Sequence, residues 1–77
     1  MKKDKKYMQS YCLATYNYIL EFGGKVCLNL ETYEEWCNFF VCLQNLKKER
    51  TDVNRKTIST LYECLFDTMC ELRDRFT

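Results

Sequence analysis

The sequence contains no proline, no histidine and only two glycines, which stand together as Gly23-Gly24. That leaves too little turn punctuation for a many-stranded β fold or a loop-rich disulfide scaffold. Without histidine the chain lacks the side chain best suited to acid–base work near neutral pH, and it cannot complete a mixed cysteine–histidine zinc site. No glycine-rich phosphate loop and no serine- or cysteine-hydrolase motif is present. Nor is there an apolar run of secretory or membrane-spanning length: behind the lysine-rich opening come Gln9, Ser10, Thr15 and Asn17. These absences set the expectations of a cytoplasmic protein with no membrane contact, no cofactor, no metal, no small-molecule substrate and no catalytic residues.

What the chain does have is apolar and aromatic side chains, 47% and 16% of its 77 residues. That content can offset the entropy of ordering one domain, residues 1–77. A core of this size supplies only about 3–5 kcal/mol of net stability, so dimerisation or a bound partner is expected. Six cysteines, Cys12, Cys27, Cys37, Cys42, Cys64 and Cys70, have spacings that lack the two-residue gap of a zinc knuckle. In a reducing compartment they read as buried free thiols.

Periodicity places three helices, at about 5–22, 32–48 and 53–75, in an all-α up-down bundle with a short extended segment at 25–31. In the first, Tyr7, Tyr11, Ala14, Tyr18 and Phe22 share one face, widened by Met8, Cys12 and Ile19, which is the expected core. A second stripe, Leu13, Tyr16 and Leu20, lies on the far side and is the expected homodimer interface. Gly23-Gly24 ends this helix, because glycine adopts a left-handed backbone without steric cost. Val26, Leu28 and Leu30 then alternate with a period of two, as in a strand or an extended linker.

Thr32 with Glu35 fits a capping box that opens the second helix, and the acidic pair Glu34-Glu35 suits its N-terminal dipole. Its main face holds Trp36, Phe39, Phe40, Leu43 and Leu46, with Cys37 and Val41 off that face. Thr51-Asp52 offers a cap for the third helix, where Ile58, Leu61, Tyr62, Leu65, Met69, Leu72 and Phe76 recur at three- and four-residue steps.

Charge patterning carries more than the net charge of +1. If short links join three antiparallel helices, the start of the first, the end of the second and the start of the third meet at one pole. That pole would gather Lys2, Lys3, Lys5, Lys6, Lys47, Lys48, Arg50, Arg55 and Lys56 against Asp4, Glu49 and Asp52. Arg55 and Lys56 in the first turn of a helix oppose its dipole, which points to a phosphate-contacting surface. The rival reading is a solvated tail beside cations that complement the end of the second helix. Tyr7 and Tyr11 lie close enough to the lysines to stack on unpaired bases, and core packing explains their spacing equally well.

The order strand, helix, helix from Lys25 to Phe76 resembles the ribbon-helix-helix repressors. The resemblance implies a dimeric DNA-binding protein in which Val26, Leu28 and Leu30 enter the dimer core while Lys25, Cys27 and Asn29 face the bases. The main expectation is a small non-catalytic binding protein with a protein or nucleoprotein partner, nucleic acid included. Its size and lack of motifs are those of phage and mobile-element accessory factors, among them inhibitors of host defence such as anti-CRISPR proteins. A homodimeric structural adaptor without nucleic-acid contact is a third reading.

Overall fold

Each helix starts where a short polar side chain can satisfy a backbone N–H that the helix itself leaves free. In a computed structural model, which describes residues 4–76, helix α1 spans Lys5–Phe22, α2 Tyr33–Glu49 and α3 Arg55–Phe76. Asp4 Oδ1 accepts the Tyr7 N–H at 2.8 Å and caps α1. Thr32 Oγ1 accepts the Glu35 N–H at 3.1 Å, and Glu35 Oε1 reaches back to accept the Glu31 N–H at 2.8 Å. The capping box read from the sequence therefore forms.

The third cap differs from expectation. Asn54, not Thr51-Asp52, holds the position, its Oδ1 accepting the Thr57 N–H at 3.1 Å. Val53 packs against the core from outside the helix, and this contact moves the start of α3 two residues along.

At the other end of α1, Gly23 and Gly24 both take left-handed angles, φ 74° and 79°, and the Gly23 N–H closes the helix on the Ile19 carbonyl at 2.7 Å. Residues 25–31 then run extended, and among the described residues there is no β-strand. The alternation holds: Leu28 and Leu30 are buried and Val26 half-buried, whereas Lys25, Cys27 and Asn29 face outward. The segment spends no hydrogen bond on a ladder. Its Val26 N–H donates to Cys64 Sγ of α3 at 3.4 Å, and its Asn29 N–H to the Tyr11 hydroxyl of α1 at 2.7 Å. The chain has thus travelled back from the end of α1 to Tyr11 before α2 begins.

The result is an all-α three-helix bundle in which each helix touches the other two. Its core is Met8, Cys12, Tyr16 and Ile19 from α1, Leu28 and Leu30 from the segment, Phe39, Cys42 and Leu43 from α2, and Ile58, Leu61, Cys64 and Leu65 from α3. The expected face of α2 is the one that packs, and so is that of α3 from Ile58 to Leu72, the side chain of Phe76 lying outside what the structure describes; Cys37 and Val41 are exposed.

The face of α1 matches in part. Met8, Cys12 and Ile19 are buried and Tyr11 half-buried as expected, but Tyr7, Ala14, Tyr18 and Phe22 are exposed, and Thr15 and Tyr16 turn inward in their place. Hydroxyl chemistry accounts for part of the choice, because a buried tyrosine needs a hydrogen-bond partner. Tyr16 finds the Asn54 N–H at 2.8 Å and Tyr11 the Asn29 N–H, while Tyr7 and Tyr18 keep their rings in solvent. Thr15 can be buried because its hydroxyl donates to the Tyr11 carbonyl at 2.8 Å. Among the described residues no buried side-chain nitrogen or oxygen lacks a partner.

The packing separates two phenylalanines. Phe39 is fully enclosed and meets Tyr11 edge-on with centroids 5.6 Å apart, whereas Phe66 on α3 is 67% exposed. Phe39→Ala should cost about 3–5 kcal/mol in urea unfolding, and Phe66→Ala no more than about 0.5 kcal/mol.

Candidate binding surface

The basic residues divide between two places on the bundle. Lys5 and Lys6 open α1 and are exposed; Lys2 and Lys3 lie outside the described residues. Arg55 and Lys56 open α3, but α3 begins against the second half of α1. Asn54 is bonded to Tyr16, and Lys56 shares a shallow pocket with Ile19, Leu20, Gly23 and Gly24. Tyr16 is already about 16 Å along the helix axis from Lys5. The single pole expected from antiparallel packing is therefore not assembled, because the 25–31 segment changes which helix ends meet. Lys56, which opposes the dipole of its own helix, stands instead beside the carbonyl end of α1, where a cation is favoured.

The end of α2 carries its cations on different sides. Lys47 turns toward α3, its Nζ 3.4 Å from the Tyr62 hydroxyl and 5.2 Å from the ring centroid. Lys48 is exposed. Arg50 caps the helix and lines a cleft toward α1 together with Gln9, Cys12, Leu13, Cys42, Asn45, Leu46 and Glu49. Lys5 lies on this side too, near enough for its charge to act on the Cys42 thiol. Lys5 and Arg50 are thus the predicted cations that the fold brings to one cleft.

That cleft offers two amides, a guanidinium and a carboxylate at its mouth, over a floor of two thiols and two leucines. Burial, with the neighbouring Cys42, pushes the Cys12 thiol up to about 12. Burial also raises Cys42, against an opposing pull from the Lys5 ammonium. Both thiols hold their protons at neutral pH, which makes them poor nucleophiles and poor metal ligands. All six cysteines are free; Cys12, Cys42 and Cys64 are buried as expected, but Cys27 and Cys37 are exposed. Among the described residues no group of three or more Cys, Asp or Glu is placed to hold a metal ion, and no helix is long and apolar enough to cross a membrane.

The proposed dimer stripe does not exist as a surface. Tyr16 is 4% exposed and belongs to the core, Leu13 is half-buried in the α1–α2 cleft, and only Leu20 is exposed. The inward side of α1 lies about a quarter-turn from the aromatic stripe, through Met8, Cys12, Thr15 and Ile19, and Tyr16 falls on its edge while Leu20 falls beyond it.

A surface the sequence reading passed over lies between α2 and α3. Trp36, Phe40, Tyr62, Leu65, Phe66 and Met69 line an almost wholly apolar groove. The Trp36 indole is fixed by its Nε1–H donating to the Leu65 carbonyl at 2.8 Å, and Phe40 packs edge-on against Tyr62 at 6.3 Å. At one rim Lys25 bridges Asp67 and Glu63, at 3.3 and 3.9 Å. Asp67 holds the Lys25 ammonium above its ordinary range, first by hydrogen bond and then by charge, with Glu63 adding to it. Phe66 carries the available signal: it follows Leu65 directly and so falls off the apolar stripe of α3.

Comparison of the chain with protein-family models, curated proteins and solved structures finds no match.

The raised Cys12 pKa has a consequence for stability. Below its ordinary value of 9.0 the thiol is protonated in both folded and unfolded chains. Above that the unfolded thiol ionises while the folded one does not, so stability falls as pH rises from 9.0 towards 12. Between about pH 8 and pH 10, urea unfolding of the wild type should lose stability faster than Cys12→Ala, by up to about 1.4 kcal/mol per pH unit.

Proposed function

We propose that the protein is a non-catalytic binding protein that occupies a phosphate-bearing macromolecular partner, a nucleic acid or nucleoprotein, with the α1–α2 cleft and the cations beside it. The observation that carries this reading is the charge state of that edge. Lys5 and Arg50, the two cations at the cleft, have no carboxylate partner among the described residues, nor has the exposed Lys48 at the end of α2, whereas Lys25 is held between two. Unpaired cations remain available to phosphates, and Gln9 and Asn45 in the cleft can donate alongside them. The buried, protonated thiols in the cleft support binding over chemistry, since a thiol enzyme needs a depressed pKa.

The biological setting this suits best is that of a phage or mobile-element accessory factor that blocks a host nucleoprotein, in the manner of anti-CRISPR proteins; size, single-domain build and composition support it. The ribbon-helix-helix reading has less behind it. Leu28 and Leu30 enter this chain's own core and Lys25, the one basic member of the outward set, is engaged by Asp67 and Glu63, so neither the dimer-core leucines nor that cation is available for its role in such a repressor.

The test is fluorescence anisotropy with a labelled DNA duplex and a labelled single-stranded RNA. For about three phosphate contacts, affinity should fall roughly 20- to 50-fold between about 50 and 200 mM salt. The triple variant Lys5→Glu, Lys48→Glu, Arg50→Glu should abolish binding, while Arg55→Glu with Lys56→Glu leaves it nearly intact. Equal loss from both sets, or no binding of either probe at low salt, would sink the cleft as a phosphate-contacting site.

A further inference from the structure

The exposed face of α1 has a symmetry that its burial pattern makes meaningful. Tyr7, Tyr18 and Phe22 are 44%, 52% and 68% exposed, unusually open for aromatic side chains on a helix that also supplies a core. They form two ring pairs, Tyr7 with Tyr11 at 6.3 Å and Tyr18 with Phe22 at 4.8 Å, on either side of the exposed Ala14. Tyr11 is half-buried and anchored, its ring on Phe39 and its hydroxyl on the Asn29 N–H, so this pair is held in place from below.

Immediately before each ring stands a polar residue: Lys6, Ser10, Asn17 and Glu21. At 3.6 residues per turn these four share the flank next to the aromatic face. Counting from Ala14, the rings lie three and seven residues back and four and eight residues on, while the polar residues lie four and eight back and three and seven on, so the two halves of the face mirror each other to within one residue. The outermost polar residues have opposite charge. Such a face is complementary to itself when a second copy lies antiparallel across it.

We infer that α1 is the interface of a homodimer, in which two α1 helices cross antiparallel at Ala14. Each Tyr7–Tyr11 pair then rests on the partner's Tyr18–Phe22 pair, Lys6 meets the partner's Glu21, and Ser10 meets the partner's Asn17. Ala14 sits on the two-fold axis, where a small side chain lets the helix backbones approach. Neither Lys6 nor Glu21 has an ion-pair partner within its own chain among the described residues, so the pairing displaces nothing. Tyrosine-rich surface is also the composition that interfaces favour, since it buries large area at little entropy cost. This dimer uses the face opposite the one the sequence suggested, and it does not depend on the phosphate-binding reading, whose cleft it leaves open.

Sedimentation velocity on the full chain, with a reductant present so that Cys27 and Cys37 cannot form disulfide-linked dimers, tests the inference. The wild type should be a dimer at about 100 µM, dissociating on dilution with a Kd of about 10 µM or below. Ala14→Glu places two carboxylates on the axis and should raise that Kd at least about 10-fold while the helical circular dichroism is unchanged. Lys6→Glu and Glu21→Lys should each weaken the dimer about 5-fold, and the two combined should restore it, because the swap rebuilds the pair with its sign reversed. Should Ala14→Glu fail to fold, the charge swap alone decides. A monomer at about 100 µM, or a dimer indifferent to the swap, overturns the assignment.

Discussion

The return of the chain along α1, over residues 25–31, is the constraint on which the rest of this structure depends. Two left-handed glycines release the chain from α1, and extended backbone covers about 3.3 Å per residue, so the segment can traverse most of a helix length. It is held by burial of Leu28 and Leu30 and by the two backbone donors that reach Cys64 and Tyr11. With the chain already back at Tyr11, the middle and end of α2 pack against the first half of α1, and the start of α3 is delivered to Tyr16 and beyond. Which charged ends meet follows from this, and so does the surface left to bind.

A consequence is that α1 serves two masters. One side supplies Met8, Cys12, Tyr16 and Ile19 to the core, and the neighbouring side presents an aromatic stripe to solvent. In a chain this small, every large apolar side chain left outside forgoes about 1.5–3 kcal/mol of burial. Leaving Phe22 and Tyr18 exposed therefore makes sense where another molecule covers them. The charged edge beside the α1–α2 cleft is a separate surface with a different chemistry, so the proposed self-association and the proposed partner binding do not compete for one face.

Much of the fold was legible in the sequence. The 3.6-residue stripes of α2 and α3, the Thr32–Glu35 capping box and the Gly23-Gly24 stop each rest on local chemistry, and each is found in the structure. The inward face of α1 was not legible, because the helix has apolar residues on nearly all sides and only long-range contacts choose between them. Asn54 outcompeted Thr51-Asp52 as a cap for the same kind of reason: Val53 is drawn to the core. The basic pole failed at the level of topology. Its members were named correctly as cations, but their grouping assumed that a short link joined α1 to α2, and a seven-residue extended stretch redirects the helices.

The account is tested most directly by an isotope-edited NOE spectrum of the folded chain. It predicts cross-peaks from the Asn54 amide proton to the Tyr16 ring and from the Asn29 amide to the Tyr11 ring. Cross-peaks from the Lys56 and Thr57 amides to Tyr7 or Met8 would instead place the start of α3 beside the start of α1, and would contradict the fold-back from which the division of the cations follows.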